Sequence, residues 1–149
     1  VDDPARLPEE VAIDGRTCVV VMTHNFLRDK DYVRGLAATR PAYLGMLGPA
    51  ARTQRLLIEL ADEGVELGEP LRARLHGPAG LDLGAETPEE IAHAICAEIV
   101  AVRRARAGGF LKHRPGPIHD RPRPGAEARP GAEAGAGPAA TGARATGDG

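Results

Sequence analysis

The run Thr17 to Met22 (TCVVVM) constrains this chain more than any other stretch, because it is continuous, rich in β-branched residues, and stops abruptly at the polar trio Thr23-His24-Asn25. β-Branched side chains suit a pleated strand. A run without alternation suits a strand covered on both faces, as in parallel sheets. Two later stretches, Tyr43 to Arg52 (YLGMLGPAAR) and Leu81 to Glu90 (LDLGAETPEE), repeat the plan of a short apolar piece, a glycine turn and a helix start. In an open α/β sheet, ligands bind outside the carboxyl ends of the strands. The three strand ends are therefore expected to form one edge of a binding crevice, with the Thr17–Met22 strand at the centre of the fold.

Between these stretches the pattern is helical. Tyr32, Val33, Leu36 and Ala37 share a face, with Asp29 and Asp31 near the start, where the helix dipole favours acids. Pro41 prevents continuation. After Gly48-Pro49, the residues Thr53, Leu56, Leu57, Leu60 and Ala61 form a buried stripe, and Gly64 serves as a cap. A short helix is expected around Leu71 to Leu75. Thr87-Pro88-Glu89-Glu90 reads as a capping box that opens a last helix. Ile91, Ile95, Ile99 and Val102 line its inner face, broadened by Ala92, Cys96 and Val100. Arg103, Arg104 and Arg106 gather at its end, and Gly108-Gly109 stops it. The order β-α-β-α-(α)-β-α implies a parallel α/β sheet flanked by helices.

From about Lys112 onward, Gly, Pro, Ala and Arg dominate and PGAEA occurs twice. Such a segment buries too little to offset its chain entropy. The expected division is a domain over 1–111 and a disordered tail over 112–149. The 149 residues carry a formal charge of −2, which gives no electrostatic reason to expect nucleic-acid binding. No apolar run is long enough to span a bilayer, and no basic-then-apolar N-terminus marks a signal peptide. The chain opens on Val1, which points to a fragment or a processed product. Cys18 and Cys96 sit in apolar patterns and read as buried free thiols, as in a reducing cytoplasm.

Three groups can carry chemistry. Thr23, His24 and Asn25 can hold a ligand's polar edge, with His24 able to exchange a proton; equally, they form a turn in which Asn25 caps the next helix. Gly45, Gly48, Pro49 and Arg52 form a turn where backbone amides attract anions and an arginine fork reaches phosphate; equally, this is a plain strand-to-helix turn. Gly80, Asp82 and Gly84, with Thr87, place a carboxylate among leucines, where it accepts from ligand hydroxyls or pins nearby amides. His76 and His93 show no metal spacing. The P-loop, the nucleophile elbow and the G-x-G-x-x-G fingerprint are absent from the sequence.

The segments VVVMTHN, YLGMLGPAARTQRLL and HGPAGLDLGAETPEEIAHAICAEIVAVRR together resemble the C-terminal Rossmann-type domain of the XdhC/CoxI family, accessory factors for xanthine dehydrogenase and related molybdenum hydroxylases. The resemblance runs from about Thr17 to Arg104. It implies a maturation factor that binds molybdenum cofactor, assists its sulfuration, and delivers it to a xanthine dehydrogenase-type apo-enzyme. It further implies a bacterial cytoplasmic setting, a homodimer at full length, and a cysteine desulfurase as a possible second partner. The family's turns fall on Thr23, His24 and Asn25; on Gly45, Gly48 and Arg52; and on Gly80 to Ala92, with Leu83 where isoleucine is usual. The family's first strand and its G-x-G-H turn are not in this sequence, and Val1-Asp2-Asp3 reads as the tail of a third strand. The chain is thus expected to be the second half of such a domain, a partial Rossmann-like sheet with one strand edge uncovered. A fragment of an NAD(P)-dependent oxidoreductase on the same fold is the alternative, since fold does not separate the two. A third reading is an interaction surface docking through Arg103 to Arg106.

Overall fold

β2 (Tyr43–Met46) is buried at all four positions and organises the structure, a computed structural model that describes residues 3–118. It pairs in parallel with β1 (Cys18–Val21) on one side and with β3 (Leu75–His76) on the other, giving the sheet order β1-β2-β3. The register sets Cys18 opposite Tyr43, Val21 opposite Met46, and His76 opposite Gly45. Alternation then divides β2 between two faces. Leu44 and Met46 enter a core with Val21, Val33, Leu36, Leu56, Leu60, Leu67 and Leu71. Tyr43 and Gly45 point the other way, where the Tyr43 hydroxyl meets Glu98 of the last helix.

The apolar core is closed by α2 (Phe26–Leu36), α3 (Ala50–Asp62) and α4 (Glu69–Arg72). Parallel neighbours cannot be joined by a tight turn and require these crossovers. α2 and α3 are strapped together by Lys30, whose ammonium reaches Glu59 at 3.2 Å and Glu63 at 2.7 Å, and by Arg34, which pairs with Glu63. α3 stops as expected: Gly64 takes a φ of +78°, and Val65 N–H returns to Leu60 O at 2.8 Å. Its stripe is narrower than the sequence pattern suggests. Thr53, Leu56 and Leu60 are buried, Leu57 is half-buried, and Ala61 is exposed. On the opposite face of the sheet, α5 (Pro88–Arg103) opens with the expected capping box of Thr87 and Glu90.

Several expectations are corrected. The short helix expected around Leu71 to Leu75 falls on Glu69–Arg72 and Leu75 begins a strand instead, whereas Leu81-Asp82-Leu83 is not a strand. The open edge of β2 takes the first extended segment that reaches it, and Gly80 and Leu81 then turn their amides toward α5, on Glu98 and Ala94 O. Within the described residues β1 is an edge strand, its positions mostly half-buried, and β2 is the central one. An apolar groove of about 300 Å³ runs along the β1 edge between Leu7, Met22 and Tyr32. The strand tail expected at Val1-Asp2-Asp3 is not seen at Asp3, which precedes a 3-10 turn (Pro4–Arg6) and the short helix α1 (Leu7–Glu10). Pro8 suits the first turn of that helix; Val1 and Asp2 lie outside the described residues. Finally, the isoleucine face of α5 holds, with Ile95 buried and Ile91, Ile99 and Val102 half-buried, but the broadening expected from Ala92, Cys96 and Val100 does not. Ala94, Ile95 and Ala101 are buried, while Cys96 and Val100 are exposed and Cys18 is half-buried, so the thiols are not both core groups. α5 also ends before the glycines, because Ala105 at φ +51° lets Arg106 N–H close on Ala101 O.

The chain divides into two units, Val1–Phe110 and Leu111–Gly149. In the described part of the second, Leu111–His113 form a 3-10 turn and Arg114 donates to Ile118 O at 2.7 Å. Of the tail expected to be disordered, 112–149, residues 119–149 lie outside the described residues.

The Tyr43 ring lies directly over Gly45. A Cβ there would meet Tyr43 Cε1 at 2.7 Å and Ala79 Cβ at 3.1 Å. Gly45→Ala is expected to lower unfolding free energy by about 1–3 kcal/mol, the usual range for overpacking, in urea denaturation. An unchanged midpoint would show that the ring moves aside freely.

Candidate functional site

Asn25 and Thr23 spend their polar atoms on local structure. Asn25 Oδ1 accepts from Leu27 N–H at 3.0 Å and Arg28 N–H at 3.1 Å, capping α2, which is worth about 1 kcal/mol. The Thr23 hydroxyl donates to Asp29 Oδ1 at 2.6 Å, and the Thr23 amide reaches the same oxygen at 3.2 Å. His24 bridges the two in the left-handed region, φ +57°, which histidine enters more readily than most residues. Its side chain is exposed, with no hydrogen-bond partner among the described residues. Of the trio, it is the side chain that makes no local hydrogen bond, and the Asn25 side-chain NH₂ is likewise without a partner among the described residues.

Asp29 is the centre of this cluster, although the sequence pattern places it merely at a favourable helix end. It is 1% exposed. Its second oxygen accepts from Arg52 Nη2 at 2.8 Å, so a buried carboxylate gains both a countercharge and hydrogen bonds, as burial demands. Arg52 thereby ties the end of β1 to the start of α3. Gly48, at φ +114°, makes room for it, since a Cβ there would sit 3.2 Å from Arg52 Cδ. Arg52 and Arg55 also lie over the Phe26 ring, at 5.5 and 4.8 Å from its centroid, within cation–π range. Pro49 is the N-cap of α3, and no side chain caps it. The Ala50 and Ala51 amides have no hydrogen-bond partner among the described residues. Free amides at a helix start beside two guanidinium groups favour an anion.

The third candidate group separates. Gly80, Asp82 and Gly84 line a cavity of about 440 Å³ formed by residues 78–85, Ile91 and Ala94. Asp82 is exposed there and has no partner among the described residues. Gly80 takes φ +115°, a backbone conformation that favours glycine, and a would-be Cβ would sit 3.3 Å from Ala94 Cβ, so backbone and packing both account for glycine there. Thr87 does not line the cavity; its hydroxyl accepts from Glu90 N–H at 3.3 Å, while Glu90 Oε2 accepts from Thr87 N–H at 3.0 Å.

Glu98 holds this cavity's wall, and no sequence motif singles it out. Oε2 accepts from Tyr43 Oη at 2.5 Å and Gly80 N–H at 2.8 Å, and Oε1 lies 3.1 Å from His76 Nδ1. A weaker signal was available: Glu98 follows Ile91 by seven residues and Ile95 by three, so an acid lies on an apolar stripe. Burial acts to raise its carboxyl, but Tyr43, the Gly80 amide and His76 outweigh burial and hold it below the ordinary 4.5. For Tyr43, burial first and then the Glu98 carboxylate push the phenol far upward, so it remains a donor.

Each of the two carboxylate clusters can be tested by substitution. Arg52→Ala leaves the Asp29 carboxylate buried without its countercharge and is expected to cost about 3 kcal/mol; a loss below about 0.5 kcal/mol in chemical denaturation would mean that water replaces the guanidinium. Glu98, lower in the folded than in the unfolded chain, stabilises the fold above its unfolded value, and that contribution fades as pH falls through the folded value. Acid unfolding should therefore be shallower for Glu98→Gln than for the wild type below about pH 4.5, and superimposable curves would contradict this.

A family model described as the XdhC Rossmann domain matches residues 1–99. The uncharacterized protein YqeB of Escherichia coli K12 is 38% identical over 93 residues, covering 62% of this chain and 16% of that protein. A probable xanthine dehydrogenase subunit of Bacillus subtilis 168 is 34% identical over 101 residues, covering 68% of this chain and 28% of that protein. Among solved structures, a xanthine dehydrogenase from Bacillus halodurans superposes with a TM-score of 0.59 at 32% identity, covering 70% of this chain and 30% of that one. The chain thus spans less than a third of the length of each of these proteins. The matched residues contain the sheet, the Thr23–Asp29–Arg52 cluster and the cavity beside Asp82, and on that match the chain belongs to the XdhC Rossmann-domain family.

Proposed function

We propose that this chain is the cofactor-holding part of an accessory factor for a xanthine dehydrogenase-type molybdenum hydroxylase, binding molybdenum cofactor and assisting its sulfuration and insertion. The observation that carries the reading is the start of α3. Uncapped amides at Ala50 and Ala51, a glycine at φ +114° and the guanidinium groups of Arg52 and Arg55 form a donor set for the terminal phosphate of a pterin cofactor. The cavity lined by Gly80, Asp82 and Gly84 suits the other end: apolar walls for a flat ring and a carboxylate for amino N–H donors. Thr23, His24 and Asn25 form the rim between β1 and α2. Membership of the XdhC family and the resemblance to proteins named for xanthine dehydrogenase support the partner. A cytoplasmic setting, a homodimer and a cysteine desulfurase partner belong to the same proposal.

Anaerobic titration of the chain with molybdenum cofactor, and separately with NADPH, tests the reading. Saturable cofactor binding is expected. Arg55→Ala and Asp82→Ala should each weaken it about tenfold, the worth of one charge-assisted contact of about 1.4 kcal/mol. NADPH binding without cofactor binding would overturn the proposal in favour of a dinucleotide-binding fragment.

A further inference from the structure

The Glu98 cluster defines the chemistry of a residue that the proposed crevice does not use. Both Glu98 oxygens are engaged, and Oε1 faces His76 Nδ1 at 3.1 Å. An ionised carboxylate only accepts hydrogen bonds, so the hydrogen must lie on Nδ1; in a neutral imidazole that leaves the lone pair on Nε2. The ring cannot rotate freely away from this arrangement. Tyr43 stacks against it, with centroids 4.6 Å apart and planes 22° from parallel, and Tyr43 is itself held by the same carboxylate. Nε2 has no hydrogen-bond partner among the described residues, and no buried side-chain nitrogen or oxygen among them lacks one. Nε2 therefore reaches solvent, on a side chain 25% exposed. It does so at the carboxyl end of β3, the side of an α/β sheet where ligands bind. Gly80, held by the other Glu98 oxygen, lines the nearby cavity.

From this geometry we infer that Glu98 and His76 form a carboxylate–imidazole dyad, in which Glu98 is a positioning residue and His76 Nε2 is a fixed hydrogen-bond and proton acceptor for a ligand bearing an N–H or O–H donor. The titratable groups around the imidazole are Glu98 from α5 and Tyr43 from β2, with Cys18 of β1 close to Tyr43. The dyad does not depend on which cofactor the crevice takes, and its test contains none.

Two readouts on the full chain test it. Long-range proton–nitrogen spectra at neutral pH should show His76 as the Nδ1–H tautomer. In Glu98→Gln, the new side chain's oxygen can still accept from Tyr43 and Gly80. Its NH₂ then faces Nδ1, so the imidazole hydrogen moves to Nε2. A purely structural role for Glu98 would not predict that switch. Diethyl pyrocarbonate gives the second readout. The free lone pair of Nε2 attacks a carbonyl carbon, a nitrogen–carbon bond forms as the anhydride carbon–oxygen bond breaks, ethyl carbonate leaves, and the Nδ1 proton passes to solvent. Peptide mass spectrometry should find His76 carbethoxylated in the wild type and severalfold more slowly in Glu98→Gln. If Glu98→Gln unfolds, the wild-type tautomer alone still decides, because an ionised carboxylate can pair with Nδ1 only when Nδ1 carries the hydrogen. An Nε2–H tautomer in the wild type, or equal acylation of His76 in the wild type and a folded Glu98→Gln, would overturn the inference.

Discussion

The hydrogen bond between Tyr43 and Glu98 is the contact on which the arrangement of this fold most depends. β2 is covered on both faces, and the two faces are closed by different chemistry. On one side Leu44 and Met46 are buried among leucines and valines, where any close-packed apolar surface serves. On the other side a phenol and a carboxylate are taken out of water together, and each is tolerated because the other satisfies it. That pairing sets α5 against the sheet at one register. Glu98 lies on the same side of α5 as the buried Ala94, Ile95 and Ala101, so the apolar face and the polar contact reach the sheet together.

A second polar node, at Asp29, plays the same part between β1, α2 and α3. Thr23 and Arg52 converge on it from segments far apart in the chain. The two nodes have opposite consequences for ligand binding. The Asp29 node consumes the side chains that looked most available, Thr23 and part of Arg52, and leaves His24 and the bare start of α3 exposed. The Glu98 node leaves an imidazole nitrogen open while consuming everything behind it. The polar groups left exposed are the backbone amides at the start of α3, the Arg55 guanidinium, His24 and Asp82, while Asp29 and Glu98 serve as supports.

Much of the fold is legible in the residues because the signals are local. The β-branched run of β1, the Thr87 capping box, the Gly64 stop and the Pro49 helix start each follow from neighbours a few residues apart. β3 escapes a local reading because its two residues carry no periodic signal and become a strand only by pairing with Leu44 and Gly45; strand formation depends on such context more than helix formation does. Gly45 and Gly80 look in sequence like places for a ligand to approach, but a tyrosine ring and an alanine methyl already occupy that space. No spacing rule relates Gly45 to the orientation of the Tyr43 ring, which follows from Glu98, 55 residues after it.

The sequence by itself determined the class of fold, the order of most of its elements and the polar ends of its strands. These depend on hydrophobic period, capping and turn chemistry, which act over one or two helical turns. Tertiary structure alone decided which polar residues are supports and which are exposed. Whether Asp29, Glu98 or Asp82 is buried, and against what, depends on partners up to 55 positions away or on having none. A carboxylate's role follows from the groups brought to it, and long-range pairing is fixed only when the sheet and helices close.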